Sequence, residues 1–391
     1  MRFRLLLLIA LGSSPALAQM VESPANALAE DAGPYARRHN VSLDEAVRRL
    51  AAEQDSIPAS DAIAHEFRDR LAGIAVEHEP TFRLVVTLSG PEPVADRTIM
   101  VGATTLPVTI RAGAPFTRAA LILALRRHQS ELRAAFPDAR GMGFDQRAAT
   151  LVLLLNPADL DRPASAARAA AILGVPVSLR AAFGTDSNLT VAGGERLIGT
   201  DPADGNRYLC TAGFVVGDGT RTAIATAAHC PDALSVIEPA GGEVALPFVG
   251  SWGAQVQDVQ VNLSPTPLRP LFYANRPLAA LRPVTSWRPR ASIRAGDSLC
   301  HWGERSGYSC AEVELTDFSP PGLLCGGVCE PVWVTVRTPD CHGGDSGGPV
   351  FSGTVAVGLV KGGNRTRAGR CNFYYFMSVD YLPPPWRLLH E

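Results

Sequence analysis

Gly343-Gly344-Asp345-Ser346-Gly347-Gly348-Pro349 is the stretch of this 391-residue chain that decides its fold. A serine hydroxyl is a poor nucleophile near neutral pH and needs a base to take its proton. The glycines on both sides of Ser346 allow a sharp turn and let backbone N–H groups aim at one point. The N–H groups of Gly344 and Ser346 are therefore predicted to hold a developing oxyanion, and one such donor lowers a barrier by about 2.7–4 kcal/mol.

The base and its orienting carboxylate are expected elsewhere in the chain. Thr226-Ala227-Ala228-His229-Cys230 places a histidine after a β-type run and beside a cysteine that can hold it in position. Residues 256–263 alternate, which puts Asp258 on the face opposite the apolar side chains, so that it can point toward His229. Two other aspartates compete for this role: Asp232, which is too close to His229 in sequence, and Asp297, which is predicted to lie in a turn.

The order His229, Asp258, Ser346 resembles the chymotrypsin family, and most closely the bacterial α-lytic protease and streptogrisin branch. The resemblance covers about residues 189–385. It extends to the branch's mature start at residues 191–197, its small disulfide loop at 300–310, its substrate-binding strand at 358–364 and its last disulfide, Cys341 with Cys371.

The resemblance implies an all-β protease domain of two antiparallel six-stranded β-barrels with the active site between them. Ser346 would attack the scissile carbonyl, His229 would act as base and then as acid, and Asp258 would orient the imidazole. Gly363 would pair with the substrate backbone as an added strand. The expected substrates are polypeptides, and no cofactor or metal is implied.

All eight cysteines lie between Cys210 and Cys371. The resemblance implies three disulfides, Cys210–Cys230, Cys300–Cys310 and Cys341–Cys371, and it leaves Cys325 and Cys329 to pair with each other. Zinc binding by Cys325 and Cys329 is the alternative, but a C-x₃-C spacing without a second clustered pair is weak support for a zinc site.

Asp345 is expected to be a buried structural carboxylate that shapes the oxyanion loop. In the bacterial branch a basic side chain pairs with this aspartate, and His301 and Arg305 are the candidates here.

The chain departs from the branch at Lys361, its only lysine, where the family has a serine that hydrogen-bonds the triad aspartate. We expect the ammonium of Lys361 to approach Asp258, stabilise the charged carboxylate and alter the base strength of His229. The alternative is that the side chain of Lys361 points to solvent and only its backbone matters.

Substrate contacts are expected from Asp340, His342, Lys361, Gly362 and Gly363. Asp340 lies near the start of the specificity pocket and could favour a basic side chain, although a trypsin-like pocket would place its aspartate one residue earlier, at Pro339. Val360 stands where the glutamate-specific members have histidine, which argues against that specificity. His342 is expected at the pocket rim, exposed and without a chemical role.

The same serine motif also satisfies G-x-S-x-G, the nucleophile elbow of α/β-hydrolases, and Asp380 and His390 follow it. No alternation of strands and helices surrounds Ser346, and only 45 residues remain after it. The α/β-hydrolase interpretation is therefore disfavoured.

The chain divides into three segments. Residues 1–18 have a charged start, a short apolar core and an Ala-Leu-Ala site, which predicts a signal peptide; an uncleaved membrane anchor is the alternative. Helical patterns over residues 41–71, 116–136 and 163–173 and strands at 81–88 and 150–155 predict an α/β pro-region at 19–188. The polar run at 185–190 marks its boundary with the protease domain, residues 189–391.

A net charge of −2 gives no reason to expect a nucleic acid or an anionic membrane as a partner. Eight cysteines, an even number, fit an exported chain, either extracellular or periplasmic. We therefore expect a secreted, monomeric serine endopeptidase made as a precursor, with its pro-region as folding assistant and intramolecular inhibitor. The alternatives are a protease-fold binding protein without turnover and, for residues 19–188, a retained accessory binding domain.

Overall fold

The computed structural model describes residues 20–160, 165–182, 185–188, 195–237, 242–274, 280–322, 324–337, 340–366 and 368–391. We call residues 20–188 the N-terminal region and residues 195–391 the C-terminal region. The predicted signal peptide and the junction at residues 189–194 lie outside the described residues. Among the described helices, none combines the length and the apolar character needed to cross a bilayer.

Capping residues set the helix starts of the N-terminal region. Ser42 Oγ accepts from the Glu45 amide at 3.2 Å, and Thr117 Oγ1 accepts from the Ala120 amide at 3.2 Å. The described helices are Pro24–His39, Leu43–Asp55, Ile57–Glu66, Arg118–Ala135, Pro157–Leu160 and Ser165–Leu173.

The helical pattern predicted over residues 41–71 is wrong as one unit. It is split at Ser56, because Pro58 lacks the N–H that a continuing helix needs. Leu71 already begins a strand, and the helix Pro24–His39 was not predicted.

The strands of the N-terminal region form two small sheets. One sheet has four strands in the spatial order Leu71–Glu77, Arg83–Ser89, Thr104–Ala114 and Arg97–Val101. The other contains Gly141–Asp145, Thr150–Leu155 and Val177–Ala181, and the C-terminal region adds Thr316–Ser319 to its edge.

The strand Thr150–Leu155 is buried on both faces, as its continuous apolar run predicts. Leu151, Leu153 and Leu155 pack on the helices of the N-terminal region. Val152 and Leu154 face the opposite way and belong to the core of the C-terminal region. The two regions therefore share one apolar layer.

The C-terminal region is built almost entirely of strands, which confirms the expected fold class: an all-β region preceded by an α/β region. Its first half contains two sheets. In spatial order their strands are Arg207–Thr211, Arg196–Thr200, Leu234–Ile237 and Glu243–Leu246, and then Phe248–Trp252, Val259–Leu263, Thr222–Thr226, Val215–Gly217 and Arg387–Leu388.

The second half of the C-terminal region is organised around the long strand Val355–Arg365. The spatial order is Gly307–Glu312, Ser298–Gly303, Pro349–Ser352, Val355–Arg365, Cys371–Ser378 and Val334–Arg337, with Ser286–Trp287 and Thr185–Asn188 also paired to Val355–Arg365. A small sheet of Met20–Val21, Ala280–Pro283 and Leu271–Tyr273 and the 3₁₀ turns Arg290–Ser292 and Val379–Tyr381 complete the described elements.

Three strand pairings join the two regions. Gly141–Asp145 runs antiparallel to Thr316–Ser319, and Met20–Val21 runs parallel to the start of Ala280–Pro283. Thr185–Asn188, which the sequence analysis treated as a polar boundary, instead forms a strand antiparallel to residues 362–365. Among the described strands, the N-terminal region thus extends two sheets of the C-terminal region, and the C-terminal region extends one sheet of the N-terminal region.

The structure contains four disulfides, all in the C-terminal region: Cys210–Cys230, Cys300–Cys310, Cys325–Cys329 and Cys341–Cys371. The bridges close segments of 20, 10, 4 and 30 residues in sequence. Because longer closed loops restrict the unfolded chain more, their contributions to stability should differ.

We expect the Cys210→Ala/Cys230→Ala variant to lose about 3 kcal/mol of unfolding free energy and the Cys325→Ala/Cys329→Ala variant about 2 kcal/mol, as loop-closure entropy requires. Urea unfolding followed by tryptophan fluorescence measures both. A larger loss from the Cys325–Cys329 bridge than from Cys210–Cys230 would contradict the loop-length explanation.

Candidate active site

His229 is held by the end of a strand and by a disulfide. It follows Thr222–Thr226, and the next residue, Cys230, is bonded to Cys210 on the strand Arg207–Thr211. The Cys230 amide also donates to the Ala227 carbonyl at 3.1 Å, which closes a tight turn around the histidine. The backbone on both sides of His229 is therefore fixed.

Asp258 immediately precedes the strand Val259–Leu263, which pairs antiparallel with Thr222–Thr226. This pairing brings Asp258 beside His229. Gln260 and Asn262 of the same strand are buried as well as the valines, and the Gln260 amide nitrogen donates to Asn262 Oδ1 at 3.0 Å.

The three side chains form one continuous hydrogen-bonded chain. His229 Nδ1 lies 2.9 Å from Asp258 Oδ2 and 3.2 Å from Oδ1, and His229 Nε2 lies 2.7 Å from Ser346 Oγ. With the proton on Nδ1 donated to the carboxylate, Nε2 accepts from the serine hydroxyl. In this geometry the imidazole can act as a base toward the Ser346 hydroxyl, and the Asp258 carboxylate fixes the orientation of the imidazole.

The loop that carries Ser346 needs glycine at two positions. Gly344 and Gly347 have φ values of 135° and 83°, which other residues rarely adopt. A Cβ on Gly347 would also collide with Thr226 Oγ1 and the Thr211 carbonyl. Close packing against the strand that leads to His229 therefore depends on this glycine.

Backbone hydrogen bonds attach the serine loop to both halves of the C-terminal region. The Thr211 amide donates to the Ser346 carbonyl at 2.7 Å, and the Gly347 amide donates to the Val360 carbonyl at 2.7 Å. The N–H groups of Gly344 and Ser346 have no acceptor among the residues that the structure describes.

Asp345 is completely buried, as expected, but the basic partner proposed for it is wrong. Its carboxylate accepts from the His342 amide at 2.7 Å, from the Ser306 amide at 3.1 Å and from the Ser306 hydroxyl. His301 is buried nearby, yet neither of its ring nitrogens makes a hydrogen bond to the described residues. Hydroxyl and amide donors replace the cation here.

Lys361 approaches the triad carboxylate. Its Nζ lies 3.4 Å from Asp258 Oδ1, and both side chains are only 1% exposed. The ammonium also lies 5.3 Å from the ring centroid of Trp333, a cation–π arrangement that compensates part of its lost hydration. The alternative that Lys361 points to solvent is wrong.

Asp258 remains ionised in spite of its burial. Burial raises the pKa of this carboxyl, but the charges and hydrogen bonds of His229 and Lys361 lower it by more, to about 2. Burial lowers the pKa of Lys361, and Asp258 partly restores it. The site therefore contains one buried anion shared between a histidine and a lysine.

The predicted substrate-contacting residues lie at the edge of the strand Val355–Arg365 and in the turn before Ser346. Gly362 and Gly363 already pair with Asn188 and Ser187 of the N-terminal region. His342 is half-buried, with Nδ1 3.2 Å from an Arg365 nitrogen, whereas Asp340 is exposed. Pro339, the position at which a trypsin-like pocket would have its aspartate, lies outside the described residues.

The competing assignments do not fit this geometry. Asp232 is exposed, and Asp297 is bound by Arg288 and by Arg294, with Arg294 Nε at 3.0 Å. Asp380 accepts from the Arg290 amide at 2.7 Å, while the ring of His390 packs against Trp287 with centroids 5.1 Å apart. Asp380 and His390 therefore make other contacts.

Two groups of side chains contain residue types that can bind a metal ion. Cys325 and Cys329 are bonded to each other, which contradicts the zinc alternative. His39, His78 and Glu312 bring ligand-type atoms within 4.8 Å of one another. However, His78 Nδ1 is hydrogen-bonded to Tyr35 at 2.8 Å and Nε2 lies 2.7 Å from the Gly296 carbonyl, so its ring serves a structural role.

Sequence reasoning missed three residues that support the site: Thr211, Ser306 and Trp333. Each contacts a residue far away in the chain: Thr211 through its amide, Ser306 through its amide and hydroxyl, and Trp333 through its ring. Only Ser306 gave a signal, because it falls in the disulfide loop beside the two basic candidates for pairing with Asp345.

No family model matches the chain. Streptogrisin-C of Streptomyces griseus is 31% identical over 182 residues, which are 44% of this chain and 36% of streptogrisin-C. The chain thus spans about a third of the length of that relative.

Solved structures with similarity include Thermobifida fusca protease A, with 25% identity and a TM-score of 0.40 over 51% of this chain and 99% of that one. Another is Cellulomonas bogoriensis chymotrypsin, with 20% identity and a TM-score of 0.37 over 51% and 99%. By its motifs and its match to streptogrisin-C, the chain is related to the chymotrypsin-family serine proteases of bacteria.

Proposed function

We propose that this protein is a secreted serine endopeptidase that is made as a precursor. The observation that carries the proposal is the hydrogen-bonded chain from Ser346 through His229 to Asp258, with distances of 2.7 and 2.9 Å. Hydrogen-bonded contact between a nucleophile, a base and an orienting carboxylate is what acyl transfer on serine requires.

The chemistry follows from these positions. Ser346 Oγ attacks the peptide carbonyl carbon while His229 Nε2 takes the hydroxyl proton, and the amides of Gly344 and Ser346 hold the oxyanion. His229 then gives the proton to the leaving amine as the C–N bond breaks. Water attacks the acyl-enzyme by the same route, with His229 as base, and releases the acid product.

The substrate backbone is proposed to bind along the strand Val355–Arg365. The segment Thr185–Asn188 pairs antiparallel with residues 362–365, which supports the use of this edge by an extended peptide. Ser346 is 0% exposed in the full chain. Both facts favour a precursor in which residues 19–188 inhibit the domain at 189–391 until they are separated.

Export is supported by the four disulfides and by the family of the relative, since such bridges persist in oxidising compartments. A single copy suffices for the site, because the described triad comes from one chain.

The activity is tested by labelling the processed protein with a serine-reactive phosphonate. We expect one label, on Ser346, and hydrolysis of a casein or peptide library. Ser346→Ala should abolish labelling and lower kcat by about 10⁶-fold, and Asp258→Asn by about 10⁴-fold. An unlabelled, folded and processed protein would favour the alternative, a protease-fold binding protein without turnover.

Lys361 is proposed to tune the base. Because its ammonium shares the negative charge of Asp258, removing it should leave more negative charge for the imidazolium of His229 and so favour the protonated ring. The acid limb of the pH profile of kcat/KM should therefore move to higher pH in Lys361→Ser and Lys361→Met. In the parent protein, Asp258 has a pKa of about 2 and stays charged throughout such an assay.

Arg365→Met is the matched control for this experiment, since it removes a cation from the same strand without a contact to Asp258. Its acid limb should stay in place. If both Lys361 variants retain the wild-type profile, the lysine does not tune the base.

The precursor role is tested by refolding residues 189–391 with and without residues 19–188 added separately. Antiparallel barrels depend on non-local contacts and fold slowly, so we expect at least about tenfold less active protein without the segment. Full spontaneous recovery of activity would remove the folding role.

A shortened segment, residues 19–182, separates inhibition from folding. It keeps the shared sheet and the apolar layer but lacks the strand at 185–188. We expect it to assist folding and to inhibit at least about tenfold more weakly than residues 19–188. A domain that stays fully active with residues 19–188 bound would instead indicate an accessory binding domain.

A further inference from the structure

Arg282, on the strand Ala280–Pro283, lies at the centre of a buried polar cluster. Its side chain is 0% exposed, and its nitrogens donate to Glu22 at 3.0 Å, to Glu30 at 2.5 Å and to Asp31 at 2.8 Å. All three carboxylates belong to the N-terminal region. Within the described C-terminal region, the Arg282 side chain has one hydrogen-bond acceptor, the Gly353 carbonyl at 3.3 Å.

Asp31 is the most deeply buried of these carboxylates, at 2% exposure. Its Oδ1 accepts from Arg282 and, at 2.7 Å, from the Tyr308 hydroxyl. Its Oδ2 accepts from the Gly353 amide at 2.6 Å. Three donors from three separate elements of the C-terminal region therefore converge on one carboxylate of the N-terminal region.

The walls of this cluster are aromatic. The Arg282 guanidinium carbon lies 5.2 Å from the ring centroid of Phe351 and 5.8 Å from that of Tyr308. Burial, together with the neighbouring Asp31, raises the pKa of Tyr308, so the hydroxyl stays protonated and donates. The ring contacts hold the cation in place while its nitrogens point toward the incoming anion.

The C-terminal region alone does not balance this charge. Within its described residues no carboxylate lies in ion-pair distance of Arg282. A buried guanidinium that loses its anionic partner is costly. Because Arg282 and Tyr308 lie on strands and Gly353 in a short turn between two strands, the donors keep their arrangement when the anion leaves.

We propose that Arg282, Tyr308 and the Gly353 amide form a carboxylate-binding site of the C-terminal region that shares no residue with the triad. Asp31 fills it in the intact chain, and an acidic helical peptide can fill it once the N-terminal region has left. Only this second occupancy rests on the proposed maturation. The ligand is an aspartate side chain on a helix flanked by further acidic residues.

The test uses the full chain with Ser346→Ala and a recognition sequence for an unrelated protease inserted between residues 190 and 191. After cleavage by that protease, the dissociation constant of the two halves is measured. Asp31→Asn should weaken binding by about 100-fold, because it removes the most deeply buried of the three carboxylates that Arg282 contacts. Asp44→Asn, an exposed aspartate on the next helix, is the matched control and should change binding less than twofold.

A double-mutant cycle separates recognition from general damage. In the Arg282→Met background, Asp31→Asn should raise the dissociation constant of the two halves by less than about threefold. Tyr308→Phe keeps the ring but removes the hydroxyl donor, and by itself it should weaken binding several-fold. It replaces the Arg282 variant in the test if that variant does not fold. Equal effects of Asp31→Asn in both backgrounds, or an effect below threefold in the parent, would overturn the proposal.

An acetylated peptide of residues 20–40 probes the emptied site directly. We expect it to bind the separated C-terminal half and to compete with the N-terminal half, whereas the same peptide with Asp31→Asn should do neither. Equal binding of the two peptides would exclude carboxylate recognition. Because cleavage is imposed in an inactive variant, these results do not depend on phosphonate labelling, which tests the proposed function alone.

Discussion

The arrangement of the active site depends on keeping one buried carboxylate charged. Asp258 can remain an anion out of water only because His229 Nδ1 and Lys361 Nζ lie 2.9 and 3.4 Å from its oxygens. The strand pairing of Thr222–Thr226 with Val259–Leu263 supplies the first of these contacts. The strand Val355–Arg365 supplies the second, and its Val360 carbonyl also holds the loop of Ser346.

The sequence was most informative where function is local. The glycine-rich motif, the His-Cys pair and the strand Thr150–Leu155 could all be predicted from neighbouring residues. A tight turn requires glycine at particular positions, and a buried strand requires a continuous run of apolar residues. The approach of Lys361 to Asp258 could be expected from one unusual residue. Its contact with Trp333 could not, because nothing in the periodicity around residue 333 distinguishes that ring from ordinary core.

Contacts between the two regions could not be predicted either, because no sequence pattern marks the residues that make them. Glu53 accepts from the Ser298 amide at 2.7 Å, and Arg118 donates to Asp317 at 2.7 Å. In the sequence, Glu53, Arg118 and Asp317 cannot be distinguished from charged residues that are exposed on the surface of a helix or strand. The polar run at 185–188 also lacks the apolar alternation from which a strand is predicted, although its backbone pairs with residues 362–365.

The shared apolar layer also affects what becomes of the N-terminal region after separation. Val152 and Leu154 lie in the core of the C-terminal region, on the face of the strand opposite to the one that packs on the helices of their own region. Once the regions are parted, Thr150–Leu155 would expose the side chains of Val152 and Leu154 to water, and Gly141–Asp145 would become an unpaired sheet edge. Exposed apolar faces and unpaired edges favour self-association, so the parted N-terminal region should tend to associate with further copies of itself as its concentration rises.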